Sequence, residues 1–130
     1  MGTDAQAGKR ANGTGAVVVT KRDLDECIRK CLECFRVCSQ GFRYCLEKRG
    51  ALADPHHVDT LMACAEICQV SADFMTRASE YHELIRGVCA EICESCAREC
   101  ERFKDDETMR EVARVCRSTF DSCRAVPDFH

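Results

Sequence analysis

The sequence has no tryptophan, and aromatic residues make up only 6% of its 130 positions. That leaves little from which to build a base-stacking platform. Nor is there an excess of positive charge: the net charge is −3 with 32% charged residues. Such a surface is well solvated and offers nucleic acid no general attraction. No apolar run is long enough to span a membrane. The opening stretch, "MGTDAQAGKRANGTGAVVVTKRD", contains only the short apolar run Ala16 to Val19, against the about 7–15 residues of a signal h-region. Lys9-Arg10 has no h-region behind it either, so it does not read as a twin-arginine signal. A glycine-rich phosphate loop, a His-x3-His pair and a nucleophile–base–acid arrangement are all missing, and catalysis is not expected. The expectation is a single cytoplasmic domain, without nucleic-acid or membrane partners, that is large enough to build a core without crosslinks.

What the chain has in abundance is cysteine, thirteen in all. In a short secreted chain that density would suggest a disulfide scaffold. Three features argue otherwise: the count is odd, no export signal is apparent, and the chain is strongly helical rather than loop-rich. In the cytoplasm the thiols stay reduced.

Hydrophobic periodicity divides the chain into a flexible N-terminal tail (1–19), a four-helix segment (20–126) and a C-terminal tail (127–130). Thr20 can cap a first helix that runs to about Arg49 and stops at Gly50. Asp54 and Pro55 start a second helix, reaching about Ala78. Ser79 can cap a third, to about Lys104. Asp106 can cap a fourth, which ends near Arg124 before Pro127. The short connections favour antiparallel neighbours, giving an all-α, up-down-up-down four-helix bundle.

Each helix carries an inward stripe. The first supplies Leu24, Cys27, Cys31, Cys34, Cys38 and Cys45. The second supplies Val58, Leu61, Cys64, Cys68, Ser71 and Met75. The third supplies Ile85, Cys89, Cys93, Cys96 and Cys100, and the fourth Met109, Val112, Cys116, Thr119 and Cys123. Helices one and three repeat one pattern, "CIRKCLECFRVC" and "CAEICESCAREC", each Cys-x3-Cys-x2-Cys-x3-Cys.

Buried cysteine can be a small hydrophobe, but leucine or isoleucine would fill the same space and bury more, at about 0.8 kcal/mol per methylene. Thirteen thiols on the core stripes exchange stability for chemistry. Residues i and i+4 of a helix have Cβ atoms about 5–6 Å apart, too far for a disulfide, which needs about 3.5–4.5 Å. Two metal–thiolate bonds of about 2.3 Å span roughly 4.5 Å, so Cys-x3-Cys on a helix suits a two-coordinate soft metal. The pairs are 27/31, 34/38, 64/68, 89/93, 96/100 and, at wider spacing, 116/123. Soft thiolates select Cu(I), Zn(II) or iron–sulfur clusters. One Cu(I) for one thiol proton is an electroneutral exchange. Zinc with four thiolates leaves two negative charges in the interior, and no Lys or Arg is expected on the inward stripes to offset them. Cu(I), several ions per chain, is the expected cargo. An iron–sulfur or zinc centre, with an electron-transfer or structural role and Cys31, Cys34, Cys93 and Cys96 converging, stays open.

With these spacings and the segment "CAEICESCARECERF", residues 20 to 126 resemble the four-helix-bundle copper storage proteins, specifically their cytosolic branch. The resemblance implies many Cu(I) ions along the bundle axis, held mainly by Cys-x3-Cys thiolates, and often a tetramer of bundles. A homo-oligomer, a role in copper homeostasis and a copper chaperone as delivery partner follow as expectations. Family cores usually hold more cysteines. Here Ser71, Thr119 and Met75 stand where thiols would be expected, which implies lower capacity and leaves a buffering role open.

The other soft ligands are few. Histidines 56, 57, 82 and 130 are by default surface residues, and methionines 62, 75 and 109 core filler. His82 and Met75 are exceptions, because antiparallel pairing places them at one end of the bundle with Cys27 and Cys123. That end is expected to admit metal. The opposite end, with Leu61, Phe103, Met109 and Val112, reads as an apolar plug with His57 adjacent.

Overall fold

The computed structural model describes residues 20–125, so the expectations for both tails and for His130 lie outside the described residues. Four α-helices are present among the described residues: α1 (Lys21–Lys48), α2 (Pro55–Thr76), α3 (His82–Glu101) and α4 (Glu107–Ala125), with a short 3-10 turn at Gly50–Ala53 between the first two. Local chemistry explains where each begins. The Thr20 hydroxyl accepts the Asp23 N–H at 3.2 Å and the Asp23 carboxylate accepts the Thr20 N–H at 3.2 Å, a reciprocal capping box of the kind that contributes about 1 kcal/mol. Asp54 accepts the His56 N–H at 3.1 Å, with Pro55 in the first helical position. Asp106 accepts the Met109 N–H at 2.9 Å and so starts α4.

Three boundaries differ from the sequence expectation. α2 stops at Thr76 because Ala78 turns left-handed (φ 54°). Its N–H reaches Met75 O at 3.0 Å and the Ser79 N–H reaches Phe74 O at 2.9 Å, closing the helix end. Ser79 then does not cap α3; its hydroxyl accepts the Tyr81 N–H at 3.1 Å within the turn. α3 starts three residues later, at His82, and ends at Glu101 rather than Lys104.

α1 packs against α2 and α4, and α3 against the same two, so the four form a square whose diagonal pairs meet only through side chains across the axis, as at Cys64–Cys116 (3.9 Å). Polar ties pin the neighbours. Tyr44 Oη donates to Asp106 at 2.7 Å, Lys30 Nζ to Ser118 Oγ at 2.6 Å, and Thr119 Oγ1 to Lys30 O at 3.2 Å. Arg117 forks onto both Glu101 oxygens at 2.9 Å, joining α4 to α3. One close approach needs glycine: a Cβ on Gly41 would stand 3.1 Å from Val112 Cγ2, so Gly41 lets Leu61, Met109 and Val112 fill the level between Cys38 and Cys45.

Ala78 is strained where glycine would not be. A left-handed non-glycine residue costs roughly 1–2 kcal/mol, partly offset by the unfolded-state entropy glycine adds. Ala78→Gly should therefore raise the melting temperature by about 2–6 °C. An unchanged or lower melting temperature in a thermal scan would show that the turn is not strained.

Candidate metal centre

All thirteen cysteines are buried and free, and they project into the axis from all four helices. Ten of the sulfurs lie 3.4–3.9 Å from another thiol sulfur. At mid-bundle, Cys34 lies 3.8 Å from Cys38, from Cys64 and from Cys116, while Cys38 and Cys116 are 3.6 Å apart. Cys64 meets Cys93 at 3.8 Å, and Cys68 meets Cys93 at 3.6 Å and Cys89 at 3.7 Å. These contacts form two four-sulfur groups, Cys34/Cys38/Cys64/Cys116 and Cys34/Cys64/Cys68/Cys93, which share Cys34 and Cys64.

The i, i+4 pairing is visible at Cys34–Cys38 (3.8 Å) and Cys89–Cys93 (3.9 Å). Cys116 and Cys123 are not a pair. Seven residues of helix separate them by about 10.5 Å, and they join different groups. The convergence of Cys31, Cys34, Cys93 and Cys96 is not formed either: Cys34 and Cys93 share a group with Cys64 and Cys68, whereas Cys31 sits with Cys27 and Cys123.

The first end of the axis holds that third group. Cys123 lies 3.4 Å from Cys27 and 3.7 Å from Cys31, bridging α4 to α1. Here the expectation of a stripe without basic residues is overturned. Arg86 is 2% exposed, while Ile85, assigned to the stripe, is only half-buried. Residues 86, 89, 93 and 96 continue the 3–4 spacing of α3, so Arg86 occupies the stripe's outermost turn. Its guanidinium donates to His82 Nδ1 at 2.7 Å. Burial and the Arg86 charge hold His82 below its ordinary pKa, so the imidazole is neutral and keeps its proton on Nε2. Met75 is buried on the α2 stripe beside Ser71. His82 and Met75 are thus at the expected end, but His82 belongs to none of the clustered ligand groups among the described residues.

The second end is not a simple apolar plug. His57 is fully buried, and half-buried Val58 is the residue displaced from the stripe. His57 Nδ1 faces Glu99 Oε1 at 3.1 Å and Nε2 faces Met109 Sδ at 3.3 Å, with the Phe103 ring centroid 4.8 Å away. Cys45 Sγ lies 3.8 Å from the same Met109 sulfur. Burial alone would raise Glu99, but the His57 hydrogen bond and the Arg102 charge bring it below its ordinary range, so it is an anion that orients the ring. A histidine near the start of a helix reads by residue type as a surface position. Its one signal was its spacing, four residues before Leu61.

Packed sulfurs divide into donors and acceptors. Cys96 accepts from Cys100, Cys116 and Cys38 and is brought down to about 7. Cys100, as the donor and by its burial, is held far above the usual thiol range. Cys45 is the simplest case: burial, with the charges of Asp106 and Cys96, pushes it from 9.0 up to about 11. A raised thiol favours the neutral form in the folded chain. Its contribution to stability is complete below the ordinary thiol pKa and is lost as pH rises through the folded value. The metal-free bundle should accordingly lose melting temperature between pH 9 and about 11, with Cys45→Val flattening part of the decline. A melting temperature constant to pH 11 would contradict this.

Comparison with known proteins agrees with this arrangement. Residues 20–128 match the family model for copper storage proteins. A cysteine-rich protein of Bacillus subtilis, YhjQ, is 29% identical over 106 residues, covering 78% of this chain and 94% of its own. The crystal structure of Nmul_A1745 from Nitrosospira multiformis superposes with a TM-score of 0.77 at 38% identity, covering 82% of this chain and 96% of that one. The Cu(I)-bound copper storage protein BsCsp3 superposes with a TM-score of 0.76 at 28% identity, covering 80% and 97%. With its axis of touching thiols and a family match across the whole bundle, this chain belongs to the copper storage protein family.

Proposed function

We propose that the protein stores several cuprous ions per chain in the cytoplasm, held by its thirteen cysteines with Met75 and His82 at the first end. One observation carries this reading: the mid-bundle thiols form a connected column in which Cys34 and Cys64 each belong to two groups. A column that shares sulfurs can bridge successive ions, whereas an isolated four-thiol site cannot. Each Cu(I) replaces a thiol proton, so filling leaves the low-dielectric axis neutral. BsCsp3, similar in fold, is itself Cu(I)-bound. Anaerobic titration with Cu(I), followed by thiolate-to-metal absorption and metal analysis, should show several Cu(I) per chain and far fewer Zn(II). Saturation at one cuprous ion would sink the storage reading.

Entry belongs at the first end. Cys123 and Met75 there each keep 3% exposure and His82 is only half-buried, while Cys45, His57, Cys100 and Met109 at the second end have none. Thioether and neutral imidazole bind Cu(I) without giving up a proton, which suits a mouth that passes ions inward. The second end is then blind, with the Glu99-oriented His57 as an additional ligand for the last ion. Combined His82→Leu and Met75→Leu substitutions should slow loading and removal with capacity nearly unchanged. Equal slowing by Val112→Phe near the blind end would refute a single entrance.

The bundle assembles with copies of itself in this reading. Val70 of α2 and Leu84 and Val88 of α3 are 38%, 67% and 41% exposed on neighbouring helices, and contact between copies would cover them. A monomer in sedimentation at micromolar concentration would exclude the assembly. A copper chaperone is the proposed source of the metal.

A further inference from the structure

Among the described residues, one buried hydroxyl has no hydrogen-bond partner, that of Ser71, which is fully buried. Thr119, the other hydroxyl on the stripes, is satisfied by Val115 O at 2.9 Å and Lys30 O at 3.2 Å. An unmet buried hydroxyl is unfavourable and calls for an explanation. Its surroundings supply one. Cys34 of α1 meets Cys64 of α2, and antiparallel advance by seven residues puts Ser71 level with Cys27. The same level holds Cys31 and Cys123, the three-thiol group, and on α3 the residues from Arg86 to Cys89.

We propose that Cys27, Cys31 and Cys123, with the Ser71 hydroxyl closing the fourth position, form a site for a single zinc ion in the copper-free protein. This rests on reading the thiol column as metal-binding, but concerns a different ion. Two zinc–sulfur bonds of about 2.3 Å at a tetrahedral angle hold sulfurs about 3.8 Å apart. The Cys27–Cys123 and Cys31–Cys123 separations, 3.4 and 3.7 Å, are close to that. Charge selects this group over its neighbours. Zn(II) with three thiolates carries one negative charge, and Arg86 is the one buried Lys or Arg among the described residues. The four-thiol groups at mid-bundle would carry two negative charges with no buried cation beside them. Three thiol protons leave for solvent as the ion enters, and the result joins the start of α1 to the end of α4. Cu(I), the softer ion, displaces the zinc on arrival.

Cobalt(II) serves as a spectroscopic probe and zinc is measured by competition with a chromophoric chelator, both anaerobically on the full chain. The expected result is one Co(II) per chain with a three-thiolate charge-transfer band, abolished in Cys123→Ser. Ser71→Ala and Arg86→Met should each weaken zinc about 10-fold or more. Ser71→Cys should raise the thiolate-to-cobalt absorption by roughly a third as a fourth sulfur joins. Circular dichroism and Cu(I) capacity of the same variants establish that they fold. A four-thiolate band in the unaltered protein, or zinc affinity unchanged by Ser71→Ala and Arg86→Met together, overturns the site. If copper loads but neither zinc nor cobalt binds, this proposal alone falls. If no metal binds, the storage reading falls with it.

Discussion

Charge neutrality along a dry axis is the condition on which the rest of the bundle depends. Thirteen sulfurs packed at contact distance cannot all be anions, because isolated charges in a low-dielectric interior are prohibitively unfavourable. Nor can they be filled by ions of arbitrary charge. Empty, the column is mostly thiol, with protons shared between neighbouring sulfurs. Filled, it must exchange those protons for cations at nearly one charge each. Monovalent copper satisfies this throughout. A divalent ion satisfies it only where a buried cation stands near, and Arg86 restricts that to the first end.

A core of this composition forgoes apolar burial, and the stability must come from elsewhere. The helix ends contribute through the Thr20–Asp23 capping box and the Asp54 and Asp106 caps. Interhelical polar ties such as Tyr44–Asp106 and Thr119–Lys30 fix the register without occupying the axis. The exposed ion pairs along single helices, Lys21–Asp25 and Arg43–Glu47 among them, contribute little, since such pairs are worth about 0–1 kcal/mol. The largest apolar insertion into the axis is the level of Leu61, Met109 and Val112 against Gly41. These features hold the helices at a spacing suited to ligands rather than one that maximises packing.

Most of the fold could be read in the sequence because cysteine marked the stripes so densely. Helix number, antiparallel order and all thirteen buried thiols followed from spacing alone. The misassigned positions share a cause. At Arg86 and His57 the 3–4 spacing pointed inward, but residue type argued for the neighbours Ile85 and Val58. Helical geometry decided, and both polar side chains found local partners, His82 and Glu99, that made burial tolerable. Ser79 was read as a cap because the left-handed turn at Ala78 is not signalled by an alanine. Gly41 was passed over because only the structure shows how closely Val112 approaches it. Which sulfurs form a group was also illegible: it depends on the relative stagger of α1 and α4, on which Cys116 and Cys123 are assigned to different levels.

That stagger also gives the column a narrow point. Sulfur contacts run continuously from the Cys68 level to Cys38 and Cys116, where the Leu61–Val112 level interrupts them. Beyond it lie Cys100, Cys45, Met109 and His57. Cys96, between Cys93 and Cys100 on the α3 stripe, stands at the interruption, its thiol lowered by Cys100 on one side and by Cys116 and Cys38 on the other. It is also the acceptor among these thiols, which makes it the sulfur best able to take an ion from one group and offer it to the next. With entry beside Cys123, as proposed, an ion passes Cys96 on its way to His57. In that reading the far end is sealed, ions leave by the route they entered, and those beyond Cys96 depart last. Retention at the blind end thus follows from the order of side chains along the axis and needs no higher intrinsic affinity there.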